Sequence, residues 1–81
     1  METHTLIGFR DQLVERRGKL EHALTHARQN EHLLHLLSEV DAALERIAAG
    51  TFGLCETCHD PIEMDRLQID PLVRNCLDHL T

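Results

Sequence analysis

Four residues near the C-terminus constrain this chain most: Cys55, Cys58, Cys76 and His79. They form two pairs of the type ligand-x-x-ligand, Cys55-Glu56-Thr57-Cys58 and Cys76-Leu77-Asp78-His79, separated by seventeen residues. Two residues between donors let one tight turn aim both at a single ion, and the long loop lets the second pair close a tetrahedron. A C-x-x-C pair followed after roughly 15–20 residues by a second such pair is the spacing expected for zinc. Three sulfurs and one imidazole nitrogen fill the shell and leave no place for water. The pattern therefore predicts one structural zinc ion (Zn2+) and no catalytic metal.

Other readings of these residues fit less well. Cys55 to His59 also spells C-x-x-C-H, the haem-attachment pattern, but haem would leave Cys76 and His79 unexplained. A thioredoxin-like redox pair needs a βαβ setting, and no such alternation is visible. Ordinary buried thiols with a chance histidine would require two correctly spaced pairs by coincidence. His59 is the other candidate for fourth ligand; because adjacent residues seldom face one ion, His79 is preferred. His59 better suits a left-handed turn position, where His is among the enriched non-glycine residues.

A metal matters here because the chain is only 81 residues long, which makes one small domain with a marginal apolar core. A structural zinc in finger peptides is worth about 10–16 kcal/mol of apparent binding free energy at neutral pH. The ion should therefore hold residues 51–79 in shape. Phe9 and Phe52 are the only aromatic residues, so the core is built mainly from Leu, Ile, Val and Ala, which suits helix-on-helix packing.

From Thr5 to Ala49 there is no proline, and the two glycines are Gly8 and Gly18. Leu6, Leu13, Leu20 and Ala27 lie seven apart, with Phe9, Ala23 and Leu24 between them. A second series runs Leu33, Leu37, Val40, Leu44, Ile47, as in a coiled-coil-like seam. The step from Ala27 to Leu33 is six residues where an unbroken heptad needs seven, and Arg28-Gln29-Asn30-Glu31 has no apolar residue. The expected architecture is mostly α: a helical hairpin with arms near 5–27 and 31–49 and a turn at 28–30. Asn30 is a candidate cap and Gly50 the stop. The alternative is one long helix from about residue 5 to 49, which would have to dimerise to bury its stripe. Residues 1–50 form the helical segment and residues 51–81 the zinc-finger segment, together one small domain.

The net charge is −6, and neither segment has the positive field that phosphate binding requires. Sequence-specific nucleic-acid binding is not expected. No apolar run is long enough to span a membrane, and three cysteines without a signal peptide point to a reducing cytoplasm. His22 with His26, and His32 with His35, share helix faces; both pairs are read as solvated surface, a second metal site being the alternative. No nucleophile–base pair with supporting spacing is present, so the chain is not expected to be an enzyme.

The stretch from Ala43 to His79 resembles the DksA/TraR family of bacterial zinc-finger regulators. The matching residues are Ala43-Leu44-Glu45-Arg46-Ile47, Gly50-Thr51-Phe52-Gly53-Leu54-Cys55, Cys58, Ile62, Arg66-Leu67, Pro71 and Cys76. The resemblance implies a helical hairpin joined to a zinc-binding globule, acting by protein docking. The best-known members insert the hairpin into the secondary channel of RNA polymerase and alter initiation without reading DNA. This sequence has His79 where Cys is commoner and His59 where Gly is usual. Its helical part is shorter, and its turn lacks the paired aspartates of those members. The end at Thr81 suggests either a short member or an N-terminal module of a longer signalling protein, such as a sporulation-type serine phosphatase. In the second case a homodimer built on the helices would relay the signal.

Overall fold

The computed structural model describes residues 1–26 and 30–80. Helix α1 (Thr3–His26) and helix α2 (Glu31–Ala49) pack side by side, and the short helix α3 (Met64–Ile69) and a 3-10 turn at Leu77–His79 follow. The hairpin forms, and the single continuous helix does not. The turn expected at 28–30 falls largely on residues outside those described, as does Ala27 of the first stripe. Asn30 is described and caps α2: its Oδ1 accepts from the Leu33 N–H at 3.1 Å, answering one of the donors a helix start leaves free. Among the described residues no helix is long and apolar enough to cross a membrane.

The seam between the arms is formed by Phe9, Leu13 and Leu20 of α1 and by Val40 and Ala43 of α2, all buried. Leu33, Leu36, Leu37, Leu44 and Ile47 pack around it, half-buried. The centre of the α2 face differs from the expected series. Ala43, which the stripe did not include, is fully buried, while Leu37 and Leu44 lie to its flank. A methyl group at this fully buried position takes little room between the helices, and the larger leucines pack around it. Arg17 and Asp41 pair across the arms in the open, a contact worth little beside the buried seam.

Gly50 ends α2 in a left-handed conformation (φ +78°), and the Arg46 carbonyl accepts from the Thr51 and Phe52 N–H groups. This capping turn drops Phe52 onto the hairpin, where its ring meets Phe9 at 5.3 Å between centroids. The two aromatic residues of the chain are thus the joint between hairpin and finger. Phe52, Ile62 and Leu67 continue the same buried cluster into the finger.

Truncating Leu13 to Ala removes a fully buried side chain from the seam and is expected to cost about 2–5 kcal/mol. Urea unfolding of the zinc-loaded protein, followed by circular dichroism, measures it.

Candidate metal centre

Residues 53–80 have little regular structure. The local pairing consists of an isolated antiparallel bridge between Leu54 and Pro61. Around it the chain folds into a tight turn: Cys55 N–H donates to the Asp60 carbonyl at 2.8 Å, Ile62 N–H to the Gly53 carbonyl at 2.7 Å and His59 N–H to the Cys55 carbonyl at 2.9 Å. His59 takes φ +64°, so it fills the left-handed position expected of it, with its side chain exposed. This turn brings Cys55 and Cys58 to one side. The second pair is set by the 3-10 turn, where His79 N–H donates to the Cys76 carbonyl at 3.0 Å.

Two further contacts hold the turns in register. Glu56 N–H donates to the Arg74 carbonyl at 2.9 Å, tying the first turn to the strand of chain before Cys76. Glu63 and Arg66 clamp the second turn. Arg66 Nη1 donates to the Asn75 carbonyl at 2.7 Å and to Glu63 Oε1 at 3.1 Å, and the same Oε1 accepts from Leu77 N–H at 3.1 Å. Glu63 is held below the ordinary carboxylate range, first by its own backbone N–H and then by Arg66 and Leu77, against desolvation. The carboxylate stays ionised and keeps both partners.

The result is a convergence of four donors. One ligand atom from each of Cys55, Cys58, Cys76 and His79 lies within 4.8 Å of every other. Cys58 Sγ and Cys76 Sγ are 3.7 Å apart, and Cys76 Sγ is 3.3 Å from His79 Nδ1. Zinc bonds of about 2.3 Å to sulfur and about 2.05 Å to nitrogen give tetrahedral edges near ~3.8 Å (S···S) and ~3.6 Å (S···N). The donors fit one structural zinc. His59 is not among them.

The electrostatics of the thiols agree with that fit. Burial pushes the Cys55 thiol up, but the N–H groups of Cys58, Cys76 and Thr57 outweigh it and bring it down to about 6. The Thr57 N–H lies 3.4 Å from the sulfur. The N–H of Asp60 favours the Cys58 thiolate, yet burial and the neighbouring thiols push Cys58 up to about 11. Thiols this close do not ionise together without a cation among them, and a divalent ion removes the conflict.

Two functional residues had no motif to announce them. Arg74 binds Glu39 of α2 through both carboxylate oxygens at 3.0 Å and Glu56 of the finger at 2.8 Å, so it bolts finger to hairpin. Glu63 is the other. The available signal was charge: from residue 51 onward only Arg66 and Arg74 are basic among six acidic residues, and both are used. Arg46 sits beside Arg74 with its Nη2 buried and without a hydrogen-bond partner among the described residues; burial and then Arg74 lower its pKa. The hairpin histidines, His22, His26, His32 and His35, are exposed and lie outside the four-donor group.

Residues 50–78 match the prokaryotic DksA/TraR C4-type zinc finger. The match ends one residue before His79, the fourth residue of the donor group, and the matched finger is described by four cysteines. An uncharacterized protein of Aquifex aeolicus (strain VF5) is 48% identical over 40 residues, spanning 49% of this chain and 28% of that protein. The chain therefore spans well under two thirds of that relative. Among solved structures, the transcription factor DksA2 from Pseudomonas aeruginosa has a TM-score of 0.87 at 24% identity, over 95% of this chain and 81% of that one, a likeness of fold. The RNA polymerase binding protein and transcriptional regulator Dks from Chlamydia trachomatis L2 has a TM-score of 0.82 at 26% identity, over 96% and 85%.

Zinc affinity should fall as pH falls, because the bound state holds Cys58 as a thiolate while the free thiol keeps its proton up to about pH 11. The slope is at least about tenfold per pH unit at neutral pH, and it steepens below about 6, where Cys55 must also lose a proton. Competition with a chelator of known pH dependence measures it. By the same assay, Glu63→Gln and Arg66→Ala should each weaken zinc binding about 10–100-fold by loosening the second turn.

Proposed function

Residues 50–78 are a zinc finger of the DksA/TraR type, and from that premise we propose that the chain is a non-catalytic regulatory module of transcription that docks on RNA polymerase. Cys55, Cys58, Cys76 and His79 are the ligands of its single zinc. Residues 1–50 are the reaching arm, and residues 51–81 are the base that fixes the arm's direction. The observation that carries the reading is the extent of the likeness. It is not confined to the finger: hairpin and finger together align over 96% of the chain with the chlamydial RNA polymerase binding protein. Charge supports docking on protein rather than on nucleic acid, since α2 carries four acidic residues and one basic. The cytoplasm is the compartment such a role requires.

A homodimer is the second reading, favoured by one surface. A groove of about 640 Å³ runs along the hairpin, lined by Val14, Gly18, Leu44 and Ala48 and edged by Arg17 and Asp41. Helix α1 carries four basic and three acidic residues against the acidic α2, so a second hairpin facing the first with arms exchanged sets unlike charges together. Light scattering at micromolar concentration decides it. A dimer that Val14→Glu disrupts supports this reading, and a strict monomer removes it.

For the leading reading, the zinc-loaded chain should co-migrate with bacterial RNA polymerase holoenzyme and change initiation in a purified assay. A Cys76→Ser variant should lose both effects. Absence of co-migration and of any effect at high excess excludes polymerase as partner.

A further inference from the structure

The last two turns of α1 carry His22 and His26, four residues apart and exposed. Their ring centroids are 5.2 Å apart and their planes are inclined at 76°. The centroid spacing equals that of two imidazoles sharing one tetrahedral ion. A ring nitrogen about 2.05 Å from zinc puts the ring centre about 3.2 Å away, and two such rings at the tetrahedral angle have centres about 5.2 Å apart.

The surroundings leave room for an ion. Helical side chains lean back over the preceding turn, so His22 lies toward residue 18. That residue is Gly18, where a Cβ would meet no neighbouring atom within 4 Å outside the helix's own backbone. The neighbouring charged groups are engaged elsewhere, Glu21 with Arg17 and Lys19 with Glu15. Among the described residues, neither imidazole donates or accepts a side-chain hydrogen bond; the His22 contact is through its carbonyl, to Thr25 Oγ1. His32 and His35 on α2 have no comparable ring contact among the described residues.

We propose that His22 and His26 form a second metal site, for a borderline divalent ion of the zinc class. It differs from the Cys3His centre in kind. Two histidines at i and i+4 supply two nitrogens from one helix face, as in the paired histidines of zinc-binding helices. The remaining positions go to water, so the site is open and exchanges with solution. It lies near the hairpin end, far along the chain from the finger, and it places an ion with free coordination positions on the reaching arm.

The full chain, already loaded with one equivalent of zinc, is titrated with further Zn2+ by calorimetry, with metal content checked by native mass spectrometry. A second, weaker equivalent is expected. His22→Gln and His26→Gln should each lower its affinity by about tenfold or more, while His35→Gln leaves it unchanged and all three keep the first equivalent and the helical circular dichroism signal. Saturation at one equivalent, or a second equivalent unaffected by His22→Gln and His26→Gln, overturns the proposal.

Discussion

The finger depends on three sulfurs and one imidazole nitrogen being drawn to a common point. Residues 53–80 contribute one isolated bridge, a six-residue helix and a single 3-10 turn. None of these is stable alone, because short helices cost more to nucleate than their few bonds return. The buried side chains of the finger, Phe52, Ile62 and Leu67 with the cysteines themselves, make a thin plug. What turns this loop into a defined object is the crosslink that one ion makes between two turns seventeen residues apart. The three N–H groups that favour the Cys55 thiolate and the crowding of thiols at Cys58 suit a bound cation.

That crosslink acts at a distance through the joint with the hairpin. The Gly50 cap fixes the exit angle of α2, the Phe9–Phe52 contact fills the angle, and Arg74 spans it to reach Glu39. Arg74 lies two residues before Cys76, so the backbone turn that positions a ligand also positions the bolt. Pinning the finger therefore pins the direction of the arms. The order of dependence runs from ion to turn to bolt to arm.

Much of this was legible in the residues. The six-residue step between the stripes favoured a hairpin without excluding one long helix, Asn30 was legible from its place after the first stripe, and the four donors from their spacing. The left-handed His59 followed from the crowding of adjacent ligands. Ala43 was missed because a small residue is weakly apolar in any pattern, yet at a helix crossing its smallness is what matters. Glu39, Glu63 and Arg74 were missed for a different reason. Ion pairs between residues far apart in sequence have no period and no spacing, and only the scarcity of basic residues after Gly50 pointed toward them. The choice between hairpin and continuous helix was open in the sequence because no strong breaker interrupts the segment between the stripes; tertiary packing of Phe9, Leu13 and Leu20 on Val40 and Ala43 settles it.

The central claim is that the ion, not the apolar plug, holds the finger. Amide hydrogen exchange on the protein before and after treatment with a strong chelator tests it residue by residue. The account predicts that Cys55, Glu56, His59 and Ile62, whose amides are hydrogen-bonded inside the finger, lose protection when metal is removed. Unchanged protection at those four amides, in protein verified to be metal-free, would contradict it.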